Sequence, residues 1–450
     1  MSGKGSFSGW KQGAGAFLRE HRGALVVLGL LLVVRLMTLY SLGFSYTLNS
    51  DDASYLNSGI TFARTGTITM HNQYPSAQIM PGMTVLIGLF VLVFGEGKLL
   101  WLSLKLLWIL MDLGTAWFLY RSVSLFTLKW CGWLGMLPLF RADFLWMNST
   151  ILTETPFLLA LTGMVYYTLR MGKQPGYRTF WPCAWWYMFG LMMKANIAPY
   201  PVFALVYLLV CRYDRKLLLK QCGVLAAVVL CFIIPWTVRN YVQFHAFVPL
   251  TYGAGNPTLL GTYQGVGYPA DEDLDYVTNV EEPAREKYAD YYDENGEVLP
   301  QYARYVALQT DGIKAAYRQQ VWWDTDWKQM VYSYGVMKPQ RMIESVFYWD
   351  QALDQTLESV LDLQRLDLYL CIGVIAASLA LKKYRKPVLF ATAVYLGNIY
   401  IYAMTYSFSR YNASLMSMRF LLIGLGGALL MELLRRGMDS LRPQPQRLDP

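Results

Sequence analysis

The feature that most limits what this chain can fold into is a series of apolar runs that approach 20 residues, separated by short polar breaks. LVVLGLLLVVRLMTLYSLGF (25–44), LAAVVLCFIIPW (225–236) and LIGLGGALLMELL (422–434) are typical of them. At a rise of 1.5 Å per residue, a helix of about 20 residues matches the hydrocarbon core of a bilayer. A soluble domain of 450 residues would also need more than 16% charged side chains to cover a chain that is 55% hydrophobic. The sequence therefore predicts an all-α polytopic membrane protein. The first run carries Arg35 at its middle and lacks a small-x-small cleavage site behind it, which predicts a span and not a secretory signal.

Ten spans are expected, at 24–44, 99–120, 131–147, 155–171, 179–193, 197–211, 218–238, 361–381, 387–406 and 412–434. The segment 81–95 is apolar but only about 15 residues long, and reads as a re-entrant or interfacial helix. Charge supports this set. With residues 1–23 inside, the breaks holding Arg121/Lys129, Lys173/Arg178, Arg212/Arg215/Lys216/Lys220 and Lys382/Lys383/Arg385/Lys386 all fall inside, as does the tail 435–450. The net charge of +8 is thus a topology signal and gives no reason to expect nucleic acid. The expected plan is a membrane module over 24–238, a large external region over 239–360 and closing spans over 361–434. None of the six cysteines lies in that external region and no CxxC occurs, so neither disulfides nor a cysteine metal site is expected.

The first external loop, 45–80, holds Asp51 and Asp52 just beyond the first span. On a helix Tyr55 shares a face with each of them. Helix capping accounts for such a place, with Asn49 or Ser50 as N-cap and the acids favoured in the first turn. Two chemical uses also fit: a general base for an acceptor hydroxyl, or a pair of ligands for a divalent cation such as Mg or Mn. His71 stands alone in this loop and reads as a surface residue. Arg141 and Asp143 explain each other as a salt bridge. Among charges deep in spans, Arg35, Lys105 and Asp112 stand out, and Lys105 and Asp112, seven residues apart, could share a face as a pair.

Further motifs follow in order: LTETPFLLAL (152–161) with Glu154, PWTVRNY (235–241) running on to VPLTYGAGN (248–256), and SRYN (409–412). Together with Asp-Asp-x-x-Tyr after the first span, this set resembles the GT-C glycosyltransferases. The nearest resemblance is to family 39, which includes protein O-mannosyltransferases and aminoarabinose transferases. The chain departs from that family where it reads Lys194-Ala195-Asn196 in place of the frequent Arg-Pro, and Met80-Pro81-Gly82 in place of Pro-Pro.

The resemblance implies a GT-C fold of about ten transmembrane helices, with interfacial helices and a mixed external region. It implies transfer of a hexose or pentose from a polyprenyl-phosphate carrier, such as undecaprenyl phosphate, to an external protein, lipid or cell-wall glycan. Asp51 would be the base and Asp52 a supporting or metal-binding acid. Tyr55, Glu154, Lys194, Arg239, Asn240, Arg410 and Tyr411 would line the substrate site. Arg410, Arg239 and Lys194 would fall on the outer face against the positive-inside trend, where phosphate binding and plain interfacial anchoring both account for them. The compact length suggests a bacterial plasma membrane, with both termini cytoplasmic and the site outside. The rival expectation is a lipid or polysaccharide transporter without bond chemistry, marked by deep charges that face a cavity.

Overall fold

The computed structural model of the chain describes residues 4–349 and 352–441. Residues 350–351 of the large loop and the end of the expected tail, 442–450, lie outside the described residues, as do 1–3. The described regular structure is helical apart from an isolated bridge between Tyr292 and Val298. The first half contains α1 (Lys4–Leu42), α2 (Asp51–Thr65), α3 (Gly82–Phe94), α4 (Lys98–Ser124), α5 (Cys131–Met136), α6 (Ala142–Asn148), α7 (Glu154–Met171), α8 (Tyr177–Met193), α9 (Tyr200–Val210) and α10 (Arg215–Phe244). The region beyond it folds as α11 (Gly255–Gly261), α12 (Glu282–Lys287), α13 (Ala303–Tyr332) and α14 (Lys338–Glu344). The chain closes with α15 (Leu357–Ala380), α16 (Lys382–Ala403), α17 (Ser409–Ala413) and α18 (Met416–Leu441).

Five of these helices are long and apolar enough to cross a bilayer by themselves: α1, α4, α10, α15 and α18. The expected spans at 155–171, 179–193, 197–211 and 387–406 are the helices α7, α8, α9 and α16, which fall short of that length or apolarity. For α7 the reason is packing. Nearly all of its side chains are buried between α4, α8 and their neighbours, so it has little surface to match to lipid. The expected span 131–147 is not one helix but α5, a 3₁₀ turn over Leu137–Phe140, and α6. Pro138 has no N–H to donate, and Arg141 takes an extended backbone (φ −65°, ψ 146°) that breaks the helix. The short segment near 81–95 is α3, about 20 Å long at 13 residues. It lies against α2 so closely that a Cβ on Gly59 would sit 2.3 Å from Ile87.

The deep charges also differ from expectation. Asp112 does not pair with Lys105. It pairs with Arg35 of α1 (Nη2–Oδ2 2.7 Å), and Arg35 also donates to the carbonyls of Leu139 and Phe144 at the broken helix. Lys105 donates to the carbonyls of Tyr46 and Ser149. Low-dielectric surroundings demand that such groups be satisfied from within the protein, and these are. All three therefore hold helices together.

The basic breaks collect at one end of the bundle. Lys173, between α7 and α8, donates to the Leu125 carbonyl after α4, and Lys386 donates to the Val210 carbonyl at the end of α9. The opposite end receives the C-termini of α1, α8, α10 and α16 and the N-termini of α2, α7 and α18. Arg35→Met strands the buried Asp112 carboxylate and is expected to cost about 3–5 kcal/mol. A lower thermal unfolding midpoint in detergent checks this, and a second change of Asp112→Leu should recover a large part of the loss.

Candidate active site

At the end away from the basic breaks, a cavity of about 310 Å³ opens between the first loop, the ends of α7 and α8, the 251–257 segment and the 402–411 segment. Asp51, Tyr55, Lys194, Arg410 and Tyr411 line it, together with Gln78, Met80 and Asn196. Five stretches of chain far apart in sequence meet here.

The two adjacent aspartates part ways at the first turn of α2. Successive helical side chains diverge by about 100°, so one acid can face the cavity only if the other turns from it. Asp52 is the one that turns away, 2% exposed. Its Oδ2 accepts from Thr47 Oγ1 and Leu48 N, both at 2.7 Å, and its Oδ1 accepts from Ser50 N at 3.2 Å and Ala53 N at 2.9 Å. Those four bonds hold the turn between α1 and α2, which passes through Asn49 at a left-handed φ of +50°. Asp51 keeps about a third of its side chain exposed toward the cavity.

Arg410 joins Asp51 to Glu154. Its Nη1 donates to Asp51 Oδ2 at 2.6 Å. Its Nε lies 2.8 Å from Glu154 Oε1, an ion-pair distance at an angle too bent for a hydrogen bond. Glu154 is fully enclosed at the N-terminus of α7, where the helix dipole favours an acid. Lys194 donates to the same Oε1 from the end of α8 at 3.0 Å, with its ammonium 5.2 Å from the centre of the Tyr411 ring. Tyr411 stacks on Tyr402. The loop before Arg410 is fixed from the external region, where the Gln264 side chain bonds both the N–H and the carbonyl of Ser407.

Arg239 and Asn240 do not line this cavity. Asn240 donates to the Val248 carbonyl at 2.8 Å, and Arg239 donates to the Ser76 carbonyl and to Asn240 Oδ1, each at 2.9 Å. Trp236 donates to the Leu250 carbonyl at 2.7 Å. The PWTVRNY segment thus ties the end of α10 to two loops, 74–80 and 248–254, that form part of the cavity wall. These loops touch so closely that a Cβ on Gly253 would lie 2.7 Å from the Gln78 carbonyl oxygen.

His71 and Arg304 were not legible as site residues. His71 takes a left-handed φ of +62°, which turns its ring back toward α2. Its Nε2 lies 3.5 Å from Asp51 Oδ1 and its Nδ1 3.0 Å from Ser54 Oγ. Burial holds the His71 ring below its usual pKa; Asp51 opposes that shift and Arg304 adds to it. Arg304, near the start of α13, donates to Gln78 Oε1 at 3.0 Å. A solitary histidine was the one signal available for the first, and nothing in the local sequence marks the second. The Arg141–Asp143 bridge forms as expected and extends to Asp367 and Gln364.

The residues present do not fit a divalent cation. Asp52 has its oxygens filled by its own turn, Glu154 faces two cations, and Asp51 faces Arg410. Among the described residues no group of three or more histidine, cysteine or acidic side chains gathers as a metal site.

Comparison with family models finds no match, and comparison with curated proteins finds none. Among solved structures the chain is similar to the archaeal oligosaccharyltransferase AglB from Archaeoglobus fulgidus, in complex with an inhibitory peptide and a dolichol-phosphate. That likeness has a TM-score of 0.54 at 12% identity and covers 96% of this chain and 53% of the other. The chain thus spans about half the length of that neighbour. ArnT from Cupriavidus metallidurans, bound to undecaprenyl phosphate, aligns with a TM-score of 0.43 at 14% identity, over 94% of this chain and 82% of that one. The likeness to AglB shows the GT-C fold of a polytopic membrane protein.

Glu154→Ala leaves Arg410 and Lys194 buried together without their shared anion. The expected cost is roughly 3–5 kcal/mol, measured as a drop in the unfolding midpoint in detergent. An unshifted unfolding curve would show that Glu154 does not anchor the cluster.

Proposed function

We propose that this protein is a membrane glycosyltransferase that moves one sugar from a polyprenyl-phosphate carrier to an acceptor hydroxyl. The observation that carries the reading is the placement of Asp51, about a third exposed toward the cavity, beside two largely buried cations drawn from the ends of other helices. A carboxylate at the rim suits a general base, and cations below it suit a phosphate that acquires charge as it leaves. The GT-C fold and the ordered motifs of the first loop, α7, α10 and α17 support the same class. AglB, which shares the fold, was solved with a dolichol-phosphate, a lipid of this chemical kind.

In the proposed reaction, Asp51 takes the proton of the acceptor hydroxyl as its oxygen attacks the anomeric carbon. The bond from that carbon to the phosphate oxygen breaks on the opposite face, so the configuration inverts. Arg410 and Lys194 take up the charge of the departing lipid phosphate. A phosphate leaves readily, and no separate general acid is required. Asp52 holds the turn that aims Asp51, while Arg239 and Asn240 hold two walls of the cavity. The site end faces outward, which leaves the basic breaks and both termini in the cytoplasm. The region 239–360 covers the site and selects the acceptor: a protein, a lipid or a cell-wall glycan.

A transporter without bond chemistry is less well supported. The deep charges Arg35, Lys105 and Asp112 are engaged with one another's helices or with carbonyls, and none of them lines a described cavity. The apolar cavity among α7, α8, α9 and α10 has no charged lining residue.

Purified protein in detergent, given radiolabelled polyprenyl-phosphate sugars and a membrane extract as acceptor, is expected to transfer sugar. Asp51→Asn should slow transfer by about 10²–10⁴-fold, the usual worth of a general base. Full activity in a folded Asp51→Asn protein would remove Asp51 from that role.

A further inference from the structure

The proposed base and the proposed phosphate cation hold each other. Asp51 Oδ2 lies 2.6 Å from Arg410 Nη1, a close charge-assisted contact. Among the described residues the other basic group within ion-pair distance is His71, at 3.5 Å, a ring whose pKa burial holds below its usual value, and Lys194 acts on Asp51 only from farther off. Arg410 is therefore the main counter-charge of Asp51. Glu154 does not rely on Arg410 in this way, because Lys194 sits 3.0 Å away as a second cation. The two acids also use different edges of the guanidinium: Glu154 faces Nε and Asp51 faces Nη1. Asp51 lines the cavity, while Glu154 and the Nε that faces it are enclosed.

This asymmetry matters for chemistry. A carboxylate pressed against a guanidinium accepts a proton poorly. A guanidinium already paired on its open edge is also poorly placed to take a phosphate. We propose that Arg410 is a latch on the base: it holds Asp51 until the donor's phosphate takes its Nη1 edge, and that exchange of ion pairs releases Asp51 toward the acceptor hydroxyl. The proposal rests on the reading of Asp51 as base and Arg410 as phosphate cation. Glu154 keeps the guanidinium in place through the exchange. No bond is made or broken in this step; one anion replaces another on the same cation. Release of the base then requires the donor, so the donor precedes productive engagement of the acceptor.

Competition for one cation is reciprocal. If phosphate displaces Asp51 from Arg410, then removing the Asp51 charge must strengthen phosphate binding. The test is equilibrium binding of sugar-free polyprenyl phosphate, in detergent, to the full chain as wild type, Asp51→Asn, Arg410→Gln and the double variant, each checked for folding by thermal unfolding. Asp51→Asn is expected to bind at least about fivefold tighter than wild type, the low end of ordinary coupling between sites. In the Arg410→Gln background that gain should vanish. If Arg410→Gln does not fold, Arg410→Lys serves instead, because a lysine is too compact to serve both acids and the gain should shrink. Unchanged or weaker binding by Asp51→Asn overturns the latch alone. A gain of equal size without Arg410 also overturns it, since that marks simple removal of repulsion. No binding by wild type or Asp51→Asn would overturn both the latch and the donor class proposed above.

Discussion

The shared guanidinium of Arg410 is the interaction on which the candidate site depends. Two acids and two cations are gathered here, and all but Asp51 are largely shielded from water, where an isolated charge would be costly. Each is tolerable because the others are present. Arg410 reaches the first loop and α7 together, and Lys194 adds the end of α8. The cluster therefore joins segments from residues 51, 154, 194 and 410, which no local interaction could bring together.

The frame that holds those segments is built by similar means. A polar side chain inside the helical bundle must find its partner within the protein. Arg35 meets this demand by binding Asp112 and the carbonyls at the broken helix near Pro138. Lys105 meets it by binding carbonyls at both ends of its reach. Each solution fixes one helix against another. At the site end the same logic extends to the loops, where Trp236, Arg239 and Asn240 hold carbonyls of two cavity walls. Residues that look like ligand binders by charge can thus be holders of backbone.

That ambiguity explains what was and was not legible beforehand. The pair Asp51–Asp52 announces a special turn, but sequence alone cannot say which acid faces the cavity. The turn decides, because Thr47, Leu48, Ser50 and Ala53 supply four donors that all converge on Asp52. Glu154, Lys194 and Arg410 were legible as candidates through the motifs they belong to, yet their pairing was not. Arg239 belongs to the most distinctive motif and still points at the Ser76 carbonyl. His71 read as an ordinary surface residue, and its approach to Asp51 depends on a left-handed backbone that only the folded loop imposes.

By itself the sequence determined the class of the protein. Apolar run length, the placement of lysine and arginine, and the order of short motifs depend on local composition, and local composition fixes which segments become helices and which ends of them are polar. The tertiary structure decided the chemistry of the site. Helix α7 could be shorter and less apolar than a free span because it is wrapped by protein, and 131–147 broke where proline and an extended arginine interrupted the ladder. Above all, the partners of each charge were settled only in three dimensions, because charges pair through space at distances of about 3 Å and not along the chain.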